Sequence, residues 1–130
     1  MTTFRNSLFA ATALTLTLTL FSPANAADAA EGEKIYRQCM ACHSTDEGVN
    51  RVGPSLYGIL GRTPGAISGY RFSPAMTAYG EAGAVWDDET LDQFITNPRG
   101  TVAGTKMAFP GLRSADDRAN LIAYLNSLSD

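Results

Sequence analysis

The chain is poor in the side chains that usually bind metals and perform acid–base work. Its 130 residues include one histidine and two cysteines. A structural zinc site needs four ligands, and no second Cys or His pair exists to complete one. No arrangement of nucleophile and base stands out. Charge of either sign is also in short supply: 10 basic and 13 acidic residues give a formal −3. A chain with no basic excess lacks the electrostatic footprint that nucleic acid requires. Internal repeats, linkers and strand patterns of useful length are missing, which leaves helices and loops. The longest apolar run, residues 8–21, has 14 residues, short of the ~20 that cross a bilayer as a helix.

That run reads as the apolar centre of a secretory signal. Arg5 supplies the positive start, and Ala24 and Ala26 supply a small-residue cleavage site. An uncleaved anchor is the alternative, and the shortness of the run disfavours it. Cleavage after Ala26 divides the chain into a signal, 1–26, and one small domain, 27–130, with no membrane span of its own. Removing Arg5 from the 10 basic residues leaves 9 against 13 acidic ones, a formal −4. Charge at this level bears on solubility and association rather than on fold.

What scarce chemistry there is sits in five consecutive positions. Cys39, Met40, Ala41, Cys42 and His43 contain both cysteines and the only histidine. The spacing C-x-x-C-H is the attachment signature of a c-type haem. Each sulfur can add to one porphyrin vinyl group, and the histidine that follows can reach the iron. Three plainer readings compete. A thiol redox pair normally follows a strand in a βαβ unit, whereas a helix start precedes this one. A half zinc site lacks its other half. A disulfide across so short a loop adds little stability through chain entropy. Bacteria attach c-type haem outside the cytoplasmic membrane, so the export signal and the motif support each other.

Periodicity predicts helices over 31–42, 87–97 and 115–128, with a short one near 74–79. Asp87, Asp88 and Glu89 put negative charge in the first turn of the second, and Leu91, Phe94 and Ile95 fall on one face. Asn97-Pro98 ends it. Ser114 is the N-cap expected for the last, whose apolar face is Leu121, Ile122, Tyr124, Leu125 and Leu128. The Gly- and Pro-rich stretch between Ser44 and Trp86 is long for a compact domain. A large apolar disc around which loops wrap accounts for it. Met107 stands among Gly104, Pro110 and Gly111, a loop able to lie close to such a ring. It is the candidate sixth iron ligand in the His/Met pattern; a gap-filling core methionine is its plainer role. Met76 and Met40 are weaker candidates.

In this order the motifs resemble a class I c-type cytochrome of the bacterial c2 or c550 kind. The likeness runs from about Glu31 to Leu128. It includes Gly32 and Tyr36 before the attachment motif, then Gly53, Pro54 and Gly58, and then Trp86, Asn97 and Pro98. Thr105, Lys106 and Met107 follow, before Leu121 and Tyr124. The resemblance implies an all-α fold of three to five short helices and long loops around one haem c bound through Cys39 and Cys42. It implies His43 and Met107 as iron ligands and a Pro54 carbonyl that orients His43. Arg62 and Trp86 would stand near a buried haem propionate, and Phe109 against the haem edge. Gly32, Tyr36, Leu121 and Tyr124 would form the crossing of the first and last helices. Lys34, Arg37, Arg99, Lys106 and Arg113 are the cations available to surround an exposed haem edge.

The chain departs from the family's pattern at four places. Phe94 and Phe72 stand where the family often has tyrosines, one toward the methionine sulfur and one toward a propionate. Ala103 replaces a usual proline, and Met76 an asparagine beside an internal water. The implied function is one-electron transport by a monomer in the periplasm, not catalysis. Implied donors are a cytochrome bc1 complex or a periplasmic dehydrogenase; implied acceptors are a terminal oxidase, a reductase or a photosynthetic reaction centre. Two alternatives stand: a haem enzyme or gas sensor with a labile Met107, and a dedicated cytochrome subunit of one periplasmic dehydrogenase.

Overall fold

The computed structural model describes Met1 and residues 26–129. The expected signal, 1–26, lies almost wholly outside the described residues. Five helices and no strand occur among those described: α1 Ala29–Tyr36, α2 Pro74–Glu81, α3 Asp88–Thr96, α4 Pro98–Thr101 and α5 Ala115–Ser127.

Each start is written in a capping side chain. Asp28 accepts the Ala30 and Glu31 N–H groups, Ser73 that of Met76, and Asp87 that of Thr90. Asn97 accepts from Gly100 and Ser114 from Asp117. These contacts satisfy donors that have no partner inside the helix. Pro74 and Pro98 occupy first-turn positions, where a missing N–H costs nothing. Asn97-Pro98 therefore does two things, ending α3 as expected and opening α4, which the periodicity did not predict.

The first helix is shorter than 31–42. Beyond Tyr36 the bonds tighten to three-residue spacing: Arg37 to Lys34, Gln38 to Ile35 and Cys39 to Tyr36, the last at 2.7 Å. Such tightening is how a helix ends while still pairing its last carbonyls. The chain then coils through Cys42 and His43, whose N–H groups both bond the Cys39 carbonyl.

The frame is the crossing of α1 and α5. Gly32 is buried there, and a Cβ at that position would lie 1.9 Å from the Asn120 carbonyl oxygen. The Tyr36 and Tyr124 rings meet beside it at 5.6 Å. Asn120 also caps the entry to α1, its Oδ1 2.7 Å from Asp28 N. Arg118 ties α5 to α3 through Asp92 Oδ1 at 2.6 Å and holds the Leu112 and Arg113 carbonyls. The three buried residues of α3 are the predicted Leu91, Phe94 and Ile95.

The long connection from Ser44 to Ser73 is pinned by hydrogen bonds rather than by regular structure. Gly53 N bonds the Cys42 carbonyl and Leu56 N that of Ser44. Farther on, Gly61 N bonds Trp86 O while Trp86 N bonds Arg62 O. Gly111 makes the return to α5 possible. Its φ is +104° and a Cβ would fall 2.1 Å from the Thr96 carbonyl, so only glycine fits.

Gly32→Ala is expected to lower the stability of the mature protein by about 1–3 kcal/mol through overpacking. Thermal unfolding followed by far-UV circular dichroism reads this as a fall of several degrees in Tm. An unchanged Tm would contradict the tight crossing.

Candidate functional site

A cavity of about 540 Å³ opens between the helices and the long connection, within the range of cofactor sites. Its walls come from three helices and the loops: Leu56 and Ile59 from the connection, Met76 from α2, Leu91 and Phe94 from α3, Leu121 and Leu125 from α5. Cys39, Cys42, His43 and Pro54 line it on one stretch of chain, and Thr105, Lys106, Met107 and Phe109 on another. No aspartate or glutamate faces it. Among the described residues no cluster of three or more His, Cys, Asp or Glu side chains exists.

His43 is held at three points. Its Nδ1 lies 2.7 Å from the Pro54 carbonyl oxygen; a carbonyl only accepts, so Nδ1 carries the proton and Nε2 keeps its lone pair. Its N–H bonds Cys39 O at 2.9 Å, and its carbonyl receives the Tyr36 hydroxyl at 3.0 Å. Burial lowers the imidazole pKa; the Pro54 bond opposes this, and the Arg62 guanidinium adds to it. A neutral ring with a free Nε2 is the state that binds a metal. Gly53 packs on this ring so closely that a Cβ would stand 2.4 Å from His43 Cε1.

The cysteines are free thiols. Burial, with a smaller contribution from Cys42, pushes the Cys39 thiol up to about 11. A redox pair works through a lowered thiol pKa, so this environment disfavours the thiol-exchange reading.

The 104–111 loop brings Met107 to the cavity. Met107 N–H donates to Thr105 Oγ1 at 3.3 Å, and Lys106 Nζ reaches across to the Arg71 carbonyl at 2.7 Å. Met76 lines the same cavity and is buried, whereas Met40 is half exposed and does not line it. Phe94 packs its ring 5.1 Å from that of Trp86 and has no hydroxyl to offer a sulfur. Tyr70 and Phe72 both line the cavity, but the Tyr70 hydroxyl is spent on the Val52 carbonyl at 2.7 Å.

Trp86 lines the cavity and is 6% exposed. Arg62 does not line it directly. Its Nη atoms donate to the Ser55 carbonyl at 3.0 and 2.9 Å and to that of Tyr57 at 3.3 Å. Its Nε is buried without a partner, and burial lowers its pKa. A half-buried cation that has no carboxylate partner among the described residues suits a site that receives an anionic group. The residues present fit a haem: two thiols, a neutral imidazole, a thioether, apolar walls and an unspent guanidinium donor. Of the five surface cations named above, Lys106 alone lines the cavity.

Sequence reasoning placed Tyr36 only at the helix crossing and gave Gly53 no role. The hydroxyl of Tyr36 was its one visible signal. For Gly53 the signal was a glycine next to Pro54, too common to interpret alone.

Known proteins resemble this chain in sequence and fold. A family model described as "Cytochrome c" matches residues 29–129. The cytochrome c of Euglena viridis is 45% identical over 104 residues, covering 79% of this chain and 99% of that protein. The cytochrome c2 of Afifella marina is 46% identical over 99 residues, covering 75% and 80%. Among solved structures, cytochrome cH from Methylobacterium extorquens superposes with a TM-score of 0.70 at 40% identity, covering 77% of this chain and 98% of that one. Cytochrome c2 from Rhodospirillum centenum gives 0.75 at 31%, covering 79% and 99%. The helical fold is that of the class I cytochromes c, with Cys39 and Cys42 at the spacing that attaches one haem c. The chain belongs to the cytochrome c family of haem-bearing electron carriers.

Proposed function

We propose that this protein is an exported one-electron carrier whose haem iron is held by His43 and Met107. The observation that carries the reading is the pairing of a free Nε2 and a thioether on one apolar cavity that also presents both attachment thiols. When bound, haem c supplies reversible one-electron exchange between ferrous and ferric iron. The chain's residues set the terms of that exchange. The Pro54 carbonyl fixes the His43 tautomer and raises the basicity of the ligand. Met107 brings a soft thioether, which favours the ferrous state. The apolar walls disfavour added positive charge and push the potential the same way. With two protein ligands, no position stays open for a substrate, and no second histidine exists to act as a base. Arg62 and Trp86 are assigned to a haem propionate, the unpaired Arg62 Nε being the supporting observation.

The periplasm is the proposed location, on the strength of the signal-like residues 1–26 and of the bacterial relatives named cytochrome c2. No helix among the described residues is long and apolar enough to cross a membrane. The proposed donor is a cytochrome bc1 complex or a periplasmic dehydrogenase, and the proposed acceptor a terminal oxidase, a reductase or a reaction centre. Phe94 favours a second reading: with no hydroxyl at that position to bond the methionine sulfur, Met107 would be a labile ligand and the protein would bind gases.

Carbon monoxide separates the two readings. The reduced protein is expected to keep its low-spin spectrum under carbon monoxide, and the ferric protein to show the methionine–iron charge-transfer band. Met107→Ala should abolish that band and bind carbon monoxide readily. Rapid binding by the unmodified protein would move the gas-binding reading to the front.

Gly53→Ala tests the seating of His43. A methyl group cannot occupy a point 2.4 Å from Cε1, so the ring must turn away from Pro54. The expected result is a substantial high-spin fraction or poor haem retention in the purified protein. A wild-type spectrum and yield would show that His43 is not seated against Gly53.

A further inference from the structure

We propose that Tyr36 is a positioning residue for His43: its hydroxyl closes the attachment loop and holds the backbone that carries the iron ligand. The proposal rests on the reading of His43 as an iron ligand and adds what sets that ligand's rigidity.

Tyr36 grips both ends of the loop. Its own carbonyl receives the N–H of Cys39 at 2.7 Å and of Met40 at 3.1 Å. Its hydroxyl, at the far end of the side chain, donates to the His43 carbonyl at 3.0 Å. No other donor bonds that carbonyl among the described residues. The eight residues from Tyr36 to His43 are thus closed into a ring by a single side chain.

The grip is anchored. Tyr36 is 7% exposed and packs against Tyr124 of α5, next to the tight Gly32 contact. Its ring cannot swing without disturbing the helix crossing. His43 is then held at its amide, its carbonyl and its Nδ1, by three different partners. Two of these lie in the attachment loop and the following connection. Among the described residues, only Tyr36 hydrogen-bonds His43 to the α1–α5 frame. A phenylalanine would fill the same space at the crossing, so the hydroxyl serves the loop and not the packing.

Tyr36→Phe in the oxidised holoprotein is the test, with Gly32→Ala as the variant that loosens the same crossing but keeps the hydroxyl. In Tyr36→Phe the hyperfine-shifted ring resonances of His43 are expected to move. The amides of Cys42 and His43 should exchange roughly fivefold faster relative to those of α5, the fold-change of one ordinary hydrogen bond. Gly32→Ala should accelerate exchange across the molecule and, because the hydroxyl is kept, move the His43 resonances less than Tyr36→Phe does. In the unmodified protein the Tyr36 hydroxyl proton should be slow to exchange, a check that needs no variant. His43 resonances present in the unmodified protein but unmoved in Tyr36→Phe would overturn this proposal alone. So would a rapidly exchanging Tyr36 hydroxyl. Absence of shifted imidazole resonances from the unmodified protein would overturn His43 ligation, and this proposal with it.

Discussion

The structure depends on the filling of one apolar cavity. About 540 Å³ bounded by Leu, Ile, Phe, Trp and Met side chains is far more than packing among themselves can close. Left open to water, apolar walls of this extent would forgo burial that a domain of this size needs for stability. The group that fills the cavity is therefore part of the fold. This explains how five helices of 4 to 13 residues and a long connection suffice for a domain of this size. It also explains why the buried faces of α3 and α5 point at the cavity as well as at each other.

Covalent attachment places the chemistry at one end of this core. The loop from Cys39 to His43 is the last coil of a helix that has stopped being regular, and its bonds hold two thiols and an imidazole within a few residues. The surroundings of His43 follow a single logic. The Pro54 carbonyl accepts the Nδ1–H hydrogen bond, Gly53 leaves room for the ring, and Tyr36 fixes the backbone. Arg62 stands behind them, bonded to two loop carbonyls, with one buried donor unspent. On the other stretch of chain, Lys106 fastens the Met107 loop to Arg71. Firm placement of His43 and Met107, the two proposed ligands, suits an electron carrier, which needs little rearrangement between oxidation states.

Features written in local chemistry could be read from the sequence. Caps such as Ser114 and Asp87, the apolar face of α3 and the stop at Pro98 each depend on residues a few positions apart. The attachment motif is local as well. The existence of Met107 beside flexible glycines was legible; its delivery to the cavity by the Lys106–Arg71 contact was not, since 35 residues separate the partners. Gly53 against His43 and the Tyr36 hydroxyl on the His43 carbonyl were hidden for a different reason. They arise from how a loop folds back on itself, which periodicity does not encode. The end of α1 at Tyr36, not Cys42, has the same origin, because the helix yields to the geometry of the loop. Arg62 shows the limit from the other side. Its proposed role came from resemblance, and the structure supplies the unpaired Nε but not a place on the cavity wall.

Comparing the protein with and without its covalent haem tests the filled-cavity claim most directly. Cys39→Ala/Cys42→Ala prevents attachment and leaves the apolar residues intact. Far-UV circular dichroism and thermal unfolding of this variant, purified free of haem, should show much of the helix lost and no cooperative transition. A haem-free variant with the same helix content as the matured protein and a sharp transition would contradict the claim that the cofactor is the missing core.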